Sequence, residues 1–415
     1  MEKSFGYLKL IRTNRKFRNL WFGQIVSLFG DWFNLIASAA LIAQITKSGI
    51  AVGGLFVVRM LAPFLVSPFA GVMTDRINRK KLLVWSDLSR CMIVLGFLLV
   101  KSTQDIWLLY TLTALQLGIG GIFYPARVSI LPEIVTEKEL GAANALSSGT
   151  WSIMLSIGAA LGGLATGQWG IYPSFLVDSA SFLMSAIFIW GIEYERLEIS
   201  EDNSRTVADG FKDFIKGLLY LINHKDYFIV ATLKAANNLA TGAFQVIQVY
   251  MSKNIYIIGE GGSTSLGLFY AVVGTGTGFG PIIVRKFIGD DSRKMRIAIL
   301  YSYILLITGL LINIPLPPFW LILIGVFIRG IGGGINWVFS SQLLLQSLPN
   351  QIMGRVFSTE FALMSLTGAI ATLIGGWSLD NPNLGFSGSI WIMVITAIAI
   401  GTLWMIWLIT KSEDM

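Results

Sequence analysis

The chain has 415 residues, 54% of them hydrophobic and 13% charged, whereas a soluble globular protein carries about 25% charged residues. This is a membrane composition that leaves little chain for a soluble domain. The formal charge of +7 does not argue for a nucleic-acid partner, because the basic residues fall in loops between apolar segments, the pattern of membrane topology. One cysteine, Cys91, and one histidine, His224, exclude an intrachain disulfide and a metal centre built from Cys and His.

A bilayer-spanning helix needs roughly 20 apolar residues, and the apolar segments predict twelve. The first follows a basic stretch (Lys3, Lys9, Arg12, Arg15, Lys16, Arg18) and covers Asn19 to Ile45. Its length, the acidic Asp31 inside it and the lack of an A-x-A cleavage site predict a retained helix and not a signal peptide. Five more follow, at Gly49 to Met73, Leu82 to Val100, Ile106 to Tyr124, Leu140 to Trp169 and Pro173 to Ile192. The polar stretch Glu193 to Asp226 reads as a linker with an amphipathic piece, in which Phe211, Phe214, Ile215, Leu218 and Leu219 recur at helical spacing and suit the membrane surface. The second six spans are Phe228 to Met251, Ser265 to Phe287, Ile297 to Ile314, Phe319 to Leu345, Met353 to Leu379 and Ser389 to Thr410.

The predicted fold is therefore an all-α integral membrane protein of twelve transmembrane helices in two six-helix bundles, residues 1–192 and 227–415, joined by a cytoplasmic linker, 193–226. With the N-terminus in the cytoplasm, Arg76, Arg79 to Lys81, the linker, Arg285 to Arg296, Arg355 and Lys411 share one side, as the positive-inside rule requires. Both termini are then cytoplasmic. An even number of helices per half gives the halves the same orientation, a parallel repeat known in transporters. Leu131-Pro132-Glu133-Ile134 after span four has a weak counterpart in Leu348-Pro349-Asn350-Gln351 after span ten, and Arg79-Lys80 has one in Arg293-Lys294.

After span two the sequence reads Gly71-Val72-Met73-Thr74-Asp75-Arg76-Ile77-Asn78-Arg79-Lys80. This resembles the signature loop G-x-x-x-D-R-x-G-R-K of the major facilitator superfamily, with Asn78 in place of a glycine; Asn tolerates a left-handed turn better than most residues. Gly30-Asp31-Trp32, Tyr124-Pro125-Ala126-Arg127, Ala143-Asn144, Asp178 with Phe182, and Gly354-Arg355-Val356 are similar to the branch of Mef-type macrolide exporters and the enterobactin exporter. The resemblance implies alternating access and a cytoplasmic latch built from Gly71, Asp75, Arg76 and Arg79, with Arg355 as an added member. Gly158-Ala159-Ala160-Leu161-Gly162-Gly163 is similar to the antiporter motif G-P-x-x-G-G, with Ala159 replacing its proline. Gln116 stands four residues before Gly120, where many proton-coupled relatives carry arginine. The run Gly274 to Gly280 is followed by Pro281 and not by Gly-Lys-Ser/Thr, so it reads as helix packing and not as a phosphate loop.

An ionisable side chain at mid-membrane costs at least about 2.5 to 3.5 kcal/mol and is a functional candidate. Asp31, Arg59, Asp178 and Glu360 are the proton-coupling candidates, with Asp31 first. Arg59 is its expected counter-charge, in which case Asp31 forms a structural ion pair instead of a proton switch. Gln24, Trp32, Asn34, Lys234, Asn237, Asn238, Gln245, Arg329 and Trp337 are candidate cavity residues, because polar helix faces must meet protein or water and not lipid.

The expected function is export of an amphipathic small molecule such as a drug or siderophore, driven by protons, by a monomer in the bacterial inner membrane that needs no cofactor and binds no nucleic acid. A lysophospholipid flippase or uniporter on the same fold, and a non-transporting receptor or assembly subunit, are the alternatives. An enzyme is disfavoured because no catalytic constellation of His, Cys or carboxylates occurs.

Overall fold

A computed structural model describes residues 6–194 and 207–412. The described chain is helical: α1 (Tyr7–Thr13), α2 (Arg15–Ile45), α3 (Gly49–Arg76), α4 (Arg79–Gly96), α5 (Ile106–Ile134), α6 (Glu137–Ile153), α7 (Ala159–Trp169) and α8 (Ile171–Trp190) precede the linker. After it come α9 (Val207–Asn223), α10 (Lys225–Thr241), α11 (Phe244–Asn254), α12 (Ser263–Ile288), α13 (Ser292–Asn313), α14 (Phe319–Ser347), α15 (Asn350–Asp380) and α16 (Gly385–Ser412). A π-turn, Met154–Gly158, joins α6 to α7 into one span.

Among the described residues, 11 segments are long and apolar enough to cross a membrane. The twelfth expected span, Phe228 to Met251, is interrupted near Gly242 into α10 and α11, 17 and 11 residues long. Of the expected linker, residues 195–206 lie outside the described ones, as do the side chains of Phe211 and Phe214. Within α9, Leu221 is buried while Ile215, Leu219 and Ile222 are exposed, and the backbone at Gly217 comes close to the Arg355 carbonyl of α15.

Two compact units divide the chain. The first comprises Met1–Ile45, Leu61–Phe211 and Ile257–Gly267; the second comprises Thr46–Met60, Lys212–Tyr256 and Leu268–Met415. Helices α3 and α12 thus each contribute to both units. In the first, α8 packs extensively on α2 and α4, and α4 also packs on α5, around a core that includes Phe17, Leu83, Ala126, Ile130 and Ile189. In the second, α13 packs on α14 and α10 on α15, around Ile299, Tyr303, Phe339 and Val356 at one end and Phe244, Phe269, Leu310 and Ile390 at the other.

Helices in lipid gain little from the hydrophobic effect and associate through close packing of small residues. A Cβ added to Gly267 would stand 2.6 Å from the Ala159 carbonyl oxygen, against α7. One added to Gly276 would stand 2.6 Å from the Phe327 carbonyl oxygen, so part of the glycine-rich stretch in α12 seats that helix against α14. The glycines of the antiporter-like stretch are also contact points, Gly158 under the Trp32 ring and Gly162 against the backbone of α2.

The start of α3 is held from the end of α15. The Asp380 carboxylate accepts from Ser48 Oγ (2.9 Å) and from the backbone N–H groups of Gly49 (2.6 Å) and Ile50 (3.0 Å). A carboxylate there answers otherwise unpaired N–H groups and the positive end of the helix dipole. Asp380→Ala is expected to destabilise the protein by about 1 kcal/mol, read as a lowered midpoint in detergent thermal unfolding; an unchanged midpoint would show that the cap contributes nothing.

Candidate functional site

In the first unit the charged centre lies on α4, at two residues that the sequence pattern does not single out. Asp87 is fully buried and Arg90 nearly so, and the two form an ion pair one helical turn apart. Ser185 Oγ of α8 donates to the other Asp87 oxygen at 2.6 Å. The Arg90 guanidinium lies between the rings of Phe182 (4.1 Å) and Phe123 (4.7 Å), a favourable place for a delocalised cation. Asp31 of α2 approaches the same guanidinium at 3.9 Å, with its side chain 28% exposed. One cation therefore faces two carboxylates, one sealed and one partly exposed.

Asp178 lies beside this centre. It is fully buried, accepts from Gln116 Nε2 at 3.3 Å, and packs over Gly30, where an added Cβ would sit 2.5 Å from its Oδ1. This explains the glycine next to Asp31. Arg90 Nη1 also lies 3.8 Å from where a Cβ of Gly120 would be; a cation from α4 thus stands close to the stretch of α5 where proton-coupled relatives are expected to carry arginine.

The second unit holds its own pair. Lys234 Nζ of α10 bonds Glu360 Oε2 of α15 at 2.9 Å with both side chains buried, and it sits 4.8 Å from the Trp337 ring and 5.7 Å from the Phe357 ring. Asn238 donates to the Met364 carbonyl oxygen at 3.2 Å, while Asn237 Oδ1 is buried without a hydrogen-bond partner. Gln245 is half-buried on α11. Arg329 packs its guanidinium 4.0 Å from the Phe244 ring, and Tyr270 feels the charges of both Arg59 and Arg329.

Among the proton-coupling candidates, Asp31 and Asp178 belong to the first unit, and Arg59 and Glu360 to the second. Asp31 has Arg90 as an ion-pair partner, and Arg59 is in the neighbourhood of Tyr270. Of the cavity candidates on α2, Gln24 is buried and engaged, donating to the Ser147 carbonyl oxygen (2.9 Å) and accepting from Arg127 (2.7 Å). Asn34 is sealed and accepts from Ser38. Trp32 is half-buried against the π-turn at Gly158.

At the signature loop, Asn78 departs from the left-handed expectation. Its φ is −58°, and its side chain caps α4 by accepting from Lys81 N at 3.1 Å; a glycine there could not supply this cap. Arg79 pairs with Glu133 of α5 and donates to the Ser129 carbonyl oxygen at 2.9 Å, and the Tyr194 hydroxyl also donates to Glu133. Gly71 has open space around it, Arg76 is exposed and Arg355 half-buried, and the Asp75 side chain lies outside the described ones. The equivalent corner of the second unit is closed by Ser292 Oγ donating to Gln346 (2.8 Å) and Gln346 donating to the Asp290 carbonyl oxygen (3.1 Å).

Membrane-length helices carrying ion pairs in their interiors define a multi-pass membrane protein. The chain belongs to the Major Facilitator Superfamily, whose profile matches residues 20–359. It is 26% identical over 370 residues, 88% of this chain and 89% of the relative, to the protein of Bacillus amyloliquefaciens designated bacilysin exporter BacE. It is 24% identical over 330 residues, 78% of this chain and 77% of the relative, to the multidrug resistance protein MdtG of Salmonella paratyphi C. Among solved structures, a mutant form of the nucleoside transporter NupG superposes with a TM-score of 0.72 at 10% identity, covering 94% of this chain and 98% of that one. A bacterial homologue of the lysosomal transporter Spinster gives 0.72 at 14%, covering 97% and 98%. The fold is the major facilitator fold, and the relatives are transporters and not enzymes.

Breaking a buried ion pair by removing one partner costs about 3 to 5 kcal/mol, whereas replacing both by apolar groups is often neutral. Lys234→Met is therefore expected to lower the detergent unfolding midpoint markedly, and the Lys234→Met/Glu360→Leu double variant to recover most of the loss. Additive losses would show that the pair is not coupled.

Proposed function

We propose that this protein exports an amphipathic small molecule, a drug or a siderophore, across the bacterial inner membrane by alternating access in exchange for protons. It acts as a monomer with both termini in the cytoplasm. Export is favoured by the relatives, one named as a bacilysin exporter and another as a multidrug resistance protein. The observation that carries proton coupling is the triad Asp31–Arg90–Asp87.

A lone guanidinium fully neutralises one carboxylate. Asp87 has the closer ion pair and the Ser185 hydrogen bond to answer its charge. Asp31 is held at 3.9 Å and is partly exposed, so its charge is the less completely answered of the two by protein groups. When access to water changes during the cycle, the carboxylate that loses hydration becomes the one best neutralised by a proton. In this reading Asp31 carries the proton, Arg90 senses it, and Asp87 holds Arg90 in place. Glu360, already tied to Lys234, and Asp178, tied to Gln116, support the two units from within. Arg79 with Glu133, together with the signature loop, serves as the cytoplasmic latch.

Everted membrane vesicles energised by respiration test this directly, with ethidium, erythromycin, enterobactin and a lysophospholipid as candidate cargo. Uptake of at least one compound is expected to collapse with an uncoupler and to fall at least tenfold in Asp31→Asn at unchanged protein level. Uptake indifferent to both the uncoupler and the substitution would sink the coupling mechanism and favour a uniporter or lipid flippase.

A further inference from the structure

We propose that Arg329 is the anchor for an anionic group, a carboxylate, on the transported compound. This inference rests on the transport reading above and narrows its substrate class.

Arg329 lies in the interior of α14, ten residues in from Phe319, or about 15 Å along the helix at a rise of about 1.5 Å per residue. A charge at that depth is retained only where something answers it. The cations at the two charged centres have acidic partners: Arg90 has Asp87 and Asp31, and Lys234 has Glu360. Among the described residues Arg329 has no carboxylate; its electrostatic neighbour is the neutral Tyr270 hydroxyl. Its Nε is buried without a hydrogen-bond partner, while the residue as a whole is only half-buried, so part of the side chain stays reachable.

The surroundings hold this guanidinium in place without consuming its donors. Phe244 covers its face at 4.0 Å, which leaves the edge to bind; the planar fork of an arginine edge matches the two oxygens of a carboxylate. The α14 backbone is fixed at this point, since a Cβ on Gly309 of α13 would lie 2.7 Å from Arg329 N. Gln248, one turn after Phe244 on α11, is buried and is an electrostatic neighbour of the Tyr270 hydroxyl. Arg59 adds positive potential at the same hydroxyl. Phe244 begins α11 just after the joint at Gly242 and Ala243, where both residues keep helical dihedrals, so the ring that covers Arg329 is carried at a bend within one span.

The test is binding of a matched pair of fluorescent probes, N-dansyl-phenylalanine, which carries a carboxylate, and its neutral carboxamide, to the purified full-length protein in detergent. Wild type is expected to bind the carboxylate at least tenfold more tightly than the amide. Arg329→Gln is expected to erase that preference with amide binding retained, and Arg329→Lys, which keeps the charge but loses the fork, to retain part of it. Equal binding of the pair by wild type, binding of neither, or a preference that survives in a folded Arg329→Gln overturns the proposal. Displacement of the carboxylate probe by lysophosphatidylglycerol at lower concentration than the probe itself would assign the oxyanion to a lipid phosphodiester and also overturn it. Vesicle export separates the two claims: export with no carboxylate preference rejects only this inference, whereas a carboxylate preference without export of any compound rejects the transport reading alone.

Discussion

The organising constraint is that a charge inside hydrocarbon must be answered by a neighbouring side chain. Desolvating an unpaired ion is costly, so each intramembrane charge here draws helices together around it. Arg90 joins α4 to α2 through Asp31, and its Asp87 partner reaches α8 through Ser185. Lys234 and Glu360 join α10 to α15, residues separated by 126 positions in sequence. Around these fixed points the helices close through small residues, since lipid offers no solvent-driven reason to pack.

The two units use the same constraint differently. In the first, a single guanidinium is shared by two carboxylates of unequal exposure, an arrangement whose charge balance depends on hydration. In the second, Lys234 and Glu360 form one buried pair, and among the described residues Arg329 has aromatic and hydroxyl neighbours and no carboxylate. A proton-handling centre and a charged-group anchor on different units would let two ligands bias the same conformational equilibrium, which is what exchange requires.

Much of the scaffold was legible in the amino-acid order because span length and the distribution of basic loops are local properties. Asp31 was legible as an acid in an apolar segment, and the signature loop as a motif. Asp87 and Arg90 were less visible because opposite charges three residues apart, in a helix that begins with Arg79-Lys80-Lys81, look like the polar start of a span. The approach of Arg90 to Asp31 could not be read either: it depends on how α2 and α4 pack, which no spacing within one helix encodes. Asn78 shows a different failure. Its substitution for glycine suggested a left-handed turn, but its side-chain oxygen took the capping role that glycine cannot fill.

The most direct test of the account follows lumenal pH and compound movement together in the same proteoliposomes, comparing wild type with Asp31→Asn and Asp87→Asn. If Asp31 is the proton carrier, proton and compound fluxes coincide in wild type, and Asp31→Asn moves compound down its own gradient without moving protons. Asp87→Asn weakens both together, because Arg90 is no longer held. Undiminished proton flux coupled to compound in Asp31→Asn would contradict the account and place the coupling site elsewhere.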